Sequence, residues 1–174
     1  MNGKKQIGID PGNSGGIAIL YHGEIITKIL DPKRSTERDI SLFLKEHCLN
    51  SICCIEKVSA GGPAAGLQSA RSMFTFGQSY GFLRGILTAT EIPYHSVSPA
   101  IWMKNYGLKR KKDEGKSAWK NRLRGLAEQL YPKSHITLAV ADAVLLADYA
   151  KCKYSDPVKN YNDYETTRKE FPKT

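Results

Sequence analysis

Residues 4 to 30 carry three short runs of strand-forming character, KKQIGID, GGIAILY and EIITKIL, separated by tight glycine-containing turns at Gly12 to Gly16 and at His22-Gly23. Connections this short join neighbouring antiparallel strands, so the chain is predicted to open as a three-stranded meander. The pattern then changes. Residues 35 to 47, STERDISLFLKEH, begin at a Ser/Thr cap and set Ile40, Phe43 and Leu44 at helical spacing. SICCIE reads as a short apolar strand ending on a carboxylate, and GGPAAG as a loop, because Gly-Gly-Pro cannot continue a regular element. A long helix is predicted from about Gln68 to Ala89, with Met73, Phe76, Tyr80, Leu83 and Leu87 along one face, and it reads as the central helix of the domain. IPYHSVS gives a fifth strand and SPAIWMKNYG a short helix with Pro99 at its first position. Ser117 to Leu130 gives a further helix, and Leu138 to Lys151 an apolar, Ala-rich last one.

The order β-β-β-α-β-α-β-α-α implies a mixed five-stranded sheet, its first three strands antiparallel, flanked by helices. Ribonuclease H-like domains have that order; doubly wound dinucleotide folds and helical bundles do not. A chain of 174 residues suits one domain, placed at residues 1–152, with 153–174 as a polar tail. No run approaches the roughly 18 apolar residues of a bilayer span, and MNGKKQIGID holds no cleavable apolar segment. The expected location is the cytoplasm of a bacterial or phage-infected cell, with no membrane association. Cys48, Cys53, Cys54 and Cys152 form no spaced metal-binding pairs, and adjacent Cys53 and Cys54 fall on opposite faces of a strand, so they read as free, mostly buried thiols. His22, His47, His95 and His135 lack metal-ligand spacing as well.

A formal charge of +9 and a pI near 9.4 call for an anionic partner, with nucleic acid first and an acidic membrane surface second. Basic residues concentrate in LKRKKDEGK, which holds Lys109, Arg110, Lys111, Lys112 and Lys116, and continue as Lys116, Lys120 and Arg124 every four residues along the following helix. Taken alone this segment reads equally as a solvated loop. Three acids stand where a carboxylate is costly unless paired: Asp10 after strand QIGI, Glu56 after ICCI, and Asp142 within LAVADAVLLA. Singly each could cap a helix or hold a salt bridge. If the last helix packs beside the two strand ends, however, all three converge, and a carboxylate set without His or Cys favours hard cations such as Mg²⁺ or Mn²⁺. Two such ions suit in-line phosphodiester hydrolysis, and beside such a centre Lys109, Arg110, Lys111, Lys112, Lys116 and Lys120 read as phosphate contacts.

The segments GIDPGNSGGIAIL, CIEKV, ARSMFTFGQSYGFLRGIL, PYHSVSPAIWMKNYGL and ADAVLLADYA, in that order across about residues 6 to 150, resemble the RuvC-like Holliday junction resolvases, especially the phage and prophage branch related to the chloroplast resolvase. The resemblance implies a homodimer that nicks opposing strands of a four-way DNA junction with Mg²⁺ or Mn²⁺ and no small-molecule cofactor. It implies that Asp10, Glu56 and Asp142 are the metal-binding acids, with Lys116 as the lysine near the scissile phosphate. It further implies that the FGQSYG helix contributes Phe76, Tyr80 and Leu83 to a dimer interface as well as to the core.

Two departures stand out. The family's fourth acid, three or four residues before the ADA aspartate, is replaced by Ala139 and Leu138, with His135 as a weak substitute. Asp148 lies six residues past Asp142, about 600° further round a helix, and points elsewhere. SAGGPAAG stands where the bacterial enzymes carry an aromatic wedge. The alternatives are a catalytically weak or inactive junction-binding protein and a related ribonuclease H-like nuclease acting on other branched or RNA-containing substrates. Actin-like phosphotransferases share the first strand-Asp-Gly turn but need a second nucleotide-binding half for which 174 residues leave no room.

Overall fold

The computed structural model describes residues 3–12, 14–58 and 70–154. Strands β1 (Lys5–Asp10), β2 (Gly16–Tyr21) and β3 (Glu24–Ile29) form the antiparallel meander. The β2–β3 turn runs through His22 (φ 50°) and Gly23 (φ 83°), the two positive-φ positions a type I′ hairpin needs. Strands β4 (Ser51–Glu56) and β5 (Tyr94–Val97) extend the sheet in parallel from the other edge of β1, giving the order β3-β2-β1-β4-β5. The mixed five-stranded sheet predicted from the sequence is therefore present.

The side-chain period of two sorts the sheet residues onto two cores. Ile7, Ile9, Ile17, Ile19, Cys53 and Ile55 pack under helices α1 (Glu37–Glu46) and α2 (Ala70–Ala89). Ala18, Leu20, Cys54 and Val97 pack under α3 (Pro99–Asn105), α4 (Lys116–Leu130) and α5 (Ala141–Tyr154). Adjacent Cys53 and Cys54 thus belong to opposite cores, both as free thiols. Helix α1 is fixed at its start by a capping box in which the Asp39 N–H donates to Thr36 Oγ1 and the Thr36 N–H donates to Asp39 Oδ2.

The helix at the centre is α5, not the long α2 that the periodicity suggested. Residues 141 to 150 of α5 are buried on every side. In α2, by contrast, Leu83 and Leu87 are buried while Phe74 is 67% exposed. Helix α5 can lie directly on the middle strand because β1 has a glycine at the crossing. A Cβ on Gly8 would sit 2.0 Å from the Ala143 carbonyl oxygen and 2.3 Å from the Ala147 nitrogen. Residues 138–140, expected in this helix, form the turn that precedes it, and its far end continues through Tyr154, whose ring stacks on His95 at 3.8 Å. The boundary drawn at residue 152 therefore cuts the last turn of α5. The loop SAGGPAAG, the start of the long helix before Ala70 and the tail from residue 155 lie outside the described residues.

Replacing Gly8 with Ala is expected to destabilise the protein by about 3 kcal/mol or more, because the obstacle is helix backbone that no rotamer change can move. Gly125→Ala in α4, whose added Cβ meets nothing among the described residues within 4 Å, is expected to be neutral or to stabilise by up to about 1 kcal/mol through helix propensity. Denaturant unfolding of the two variants checks the contrast.

Candidate active site

Asp10 follows Gly8 by two residues and Glu56 follows Cys54 by two, so both acids emerge on the face of the sheet that α5 covers. Ile9 pairs with Ile55 in the parallel β1–β4 ladder, which makes the acids one residue further on neighbours at the carboxyl ends of their strands. Helix α5 crosses β1 at Ala143 and Ala147, and that crossing brings its first-turn residue Asp142 to the same end of the sheet.

Each carboxylate has a distinct anchor. The Gly12 N–H donates to Asp10 Oδ1 at 3.1 Å, an Asx-type closure of the β1–β2 turn. Gly15 fits beneath it: a Cβ there would meet the Asp10 carbonyl oxygen at 2.2 Å and its carboxyl carbon at 2.9 Å. Glu56 Oε2 accepts a 3.0 Å hydrogen bond from the indole Nε1–H of fully buried Trp102 on α3. Asp142, 6% exposed, accepts from Lys120 Nζ at 2.6 Å through Oδ2, while its buried Oδ1 has no hydrogen-bond partner among the described residues.

The electrostatics are those of acids crowded together without enough positive charge. Burial and then the Asp142 carboxylate hold Asp10 above its ordinary range, against the Gly12 hydrogen bond and Lys120. Burial, followed by repulsion from Asp10, pushes Glu56 from 4.5 up to about 7, with Asp142 adding to the rise and Trp102 and Lys120 opposing it. Burial works against the charged Lys120, but Asp142, Asp10 and Glu56 outweigh it and keep the ammonium above its usual value. The sequence-predicted trio is thus gathered at one end of the sheet and interacts. Among the described residues, no three His, Cys, Asp or Glu side chains are close enough together to hold a metal ion as they stand. Glu56 is drawn toward Trp102 and Asp142 toward Lys120. An all-oxygen donor set in which Asp10 and Glu56 are held above their ordinary range, with one buried carboxylate oxygen unpartnered among the described residues, fits a hard divalent cation.

Beside the acids an open cleft of about 960 Å³ is lined by Asp10, the β1–β2 turn, Ser72 and Phe76 of α2, Lys116, Ser117 and Lys120 of α4, and Leu138 and Ala139. Lys116, exposed, stands on this cleft, while Lys120 makes the direct contact with an acid. Leu138 and Ala139, at the positions of the absent fourth acid, also line it; exposed His135 does not. Asp148 is committed elsewhere, accepting hydrogen bonds from Tyr106 at 2.8 Å and Tyr131 at 2.5 Å. The basic loop is not part of this cleft. Lys109 and Arg110 line a separate cavity of about 610 Å³ with Met103 and Trp119, Arg110 donates to the Glu114 carbonyl oxygen, and Lys111 and Lys112 are exposed.

Trp102 escaped the sequence reading because only its packing brings an indole N–H to Glu56. The Lys120–Asp142 pair was signalled only by the Lys116, Lys120, Arg124 stripe, which gave no reason to choose Lys120 over Lys116. Of the expected interface residues, Leu83 is wholly core and the Tyr80 hydroxyl is bonded to Ser96 at 2.6 Å, while Phe76 lines the cleft.

The architecture is ribonuclease H-like in fold. Among solved structures, Thermus thermophilus RuvC in complex with a Holliday junction substrate is similar, with a TM-score of 0.58 at 12% identity, over 87% of this chain and 97% of that one. A second structure of Thermus thermophilus RuvC matches with a TM-score of 0.48 at 13% identity, over 86% and 96%. No protein-family model matches the sequence, and no curated protein matches it. The likeness is one of fold. Among the described residues no helix is long and apolar enough to cross a membrane.

Because Glu56 holds its proton to about pH 7 in the folded chain and to about 4.5 when unfolded, the folded state carries the extra proton between those values. Its stability therefore falls as pH rises from about 4.5 through 7. In chelator, Glu56→Gln is expected to flatten this decline and to melt above the parent protein at about pH 8. Parallel stability curves for the two proteins from about pH 5 to 8 would contradict the assignment.

Proposed function

We propose that the protein is a metal-dependent, structure-selective DNA endonuclease that resolves four-way junctions. The observation that carries this reading is the meeting of Asp10, Glu56 and Asp142 at the carboxyl ends of β1 and β4, with a buried Asp142 oxygen left unpartnered. Asp10, Glu56 and Asp142 are the residues that would hold Mg²⁺ or Mn²⁺, which when bound supplies the Lewis acidity for in-line phosphodiester hydrolysis. The protein's own part is positional and electrostatic. Gly12 and Gly15 fix the Asp10 carboxylate, Trp102 orients Glu56, and the β1–α5 crossing sets Asp142 beside them. Lys116 and Lys120 line the same cleft as Asp10. The α4 N-terminus, without an acidic first-turn residue or a side-chain cap, adds partial positive charge suited to a phosphodiester. Lys109, Arg110, Lys111 and Lys112 extend the basic surface to DNA arms beyond the cleft.

A second reading is favoured by Leu138 and Ala139 on the cleft wall where a fourth acid would stand: a junction-binding protein with weak or no cleavage. Incubating a labelled four-way junction and a linear duplex of matched sequence with Mg²⁺, Mn²⁺ or chelator separates the two. The nuclease reading predicts paired, metal-dependent nicks in the junction alone; tight binding without nicks selects the binder. Asp10→Asn and Asp142→Asn are each expected to lower cleavage by at least about a thousandfold while leaving junction affinity equal or slightly tighter, since a charge repelling phosphate is removed. Equal loss of binding and cleavage would contradict these roles.

A homodimer completes the proposal, because two symmetric nicks need two sites. Helix α2 offers Gly77, Gly81 and Gly85 at four-residue intervals, none with a neighbour among the described residues within 4 Å of an added Cβ, next to exposed Phe74. This stripe, rather than Leu83, suits close approach of a second copy. Gly81→Leu is expected to leave folding intact and shift the protein to monomer in sedimentation equilibrium; an unchanged dimer would move the interface off this stripe.

A further inference from the structure

Among the described residues, Lys120 is a cation that acts on all three acids of the candidate site. Its ammonium contacts Asp142 Oδ2 at 2.6 Å and contributes to the electrostatic environment of both Asp10 and Glu56. The lysine side chain is 32% exposed and reaches from the second turn of α4 to the first turn of α5, whereas the Asp142 side chain is 8% exposed. Burying that carboxylate alone would be costly, so Lys120 makes the metal-free arrangement tolerable. It does so incompletely, since Oδ1 of the same carboxylate has no partner among the described residues.

An ammonium in contact with Asp142 and a divalent cation bound by the same small group of oxygens repel one another, and each neutralises the charge that attracts the other. Resting on the metal-centre reading above, we propose that Lys120 is a resident counter-cation that competes with the metal for Asp142. Metal binding then carries the cost of breaking the ion pair, and the flexible four-carbon stem lets the ammonium withdraw into the cleft that Lys120 already lines. Lys120 is a positioning residue in this role, with its effect exerted through Asp142.

The experiment is a Mn²⁺ titration of the full chain without DNA, following the loss of the free-ion paramagnetic resonance signal, with thermal melting in parallel. Lys120→Met is expected to bind Mn²⁺ about tenfold or more tightly than the parent protein, the order expected when one charge-assisted hydrogen bond no longer competes. Lys120→Arg, which keeps the positive charge, should stay near the parent affinity. Lys120→Met should melt lower in chelator and gain more from Mn²⁺ than the parent does. A purely structural lysine gives the opposite sign, because loosening α4 from α5 weakens metal binding. Mn²⁺ binding that requires Asp142, as shown by its loss in Asp142→Asn, but is unchanged or weaker in Lys120→Met overturns the competition alone. Mn²⁺ binding indifferent to Asp142→Asn overturns the metal-centre reading and the competition with it.

Discussion

Helix α5 lies flat on β1 because Gly8 presents no side chain to the backbone at Ala143 and Ala147. Much of the molecule follows from that contact. A helix so close to the middle strand is buried all round, which its alanines at 141, 143, 147 and 150 permit, and its two acids must then be accounted for individually. Asp148, one and two-thirds turns beyond Asp142, is satisfied by hydroxyls: Tyr106 donates to it from the end of α3 and Tyr131 from the end of α4. Burial, followed for Tyr106 by the charge of Asp148 and for Tyr131 by its hydrogen bond to Asp148, raises both phenol pKa values, so both stay protonated donors. That network ties the helices on this face into one layer. Asp142 at the other end of the helix lacks such a set of donors.

The contrast between the two aspartates separates structure from chemistry on a single helix. Asp148 accepts a tyrosine hydrogen bond at each of its two oxygens. Among the described residues, Asp142 has one oxygen met by a partly exposed lysine and the other by no donor, beside two further acids whose protons are held more tightly than usual. Crowding of this kind destabilises the folded chain at neutral pH and above, and a site that tolerates it is suited to an added positive charge. The surrounding backbone is already shaped for this arrangement, with Gly12 and Gly15 closing on Asp10 and Trp102 holding Glu56.

Local signals carried much of this into the sequence. Glycine turns and short apolar runs marked the meander, SICCIE matched β4 residue for residue, and Ser98-Pro99 marked the start of α3. The three acids were legible because a carboxylate at the end of an apolar strand, or within an Ala-rich helix, is out of place. What was not legible depends on tertiary contact. Helix α2 looked central because it has a clean apolar spacing; α5 is central and has none, since a helix buried all round shows no amphipathic face. The choice between Lys116 and Lys120 turned on how α4 packs against α5, and Trp102 on where α3 docks. Gly8 in a strand reads as a weak residue until the helix above it is known.

We propose that the Asp10, Glu56 and Asp142 carboxylates form a divalent-cation centre. Anomalous diffraction from crystals of the protein grown with Mn²⁺ tests it most directly. The expected result is anomalous density at Asp142 Oδ1 and the Asp10 carboxylate, with the Lys120 ammonium withdrawn from Oδ2. Mn²⁺ density absent from these acids at saturating metal, with the Lys120–Asp142 pair intact, would contradict it.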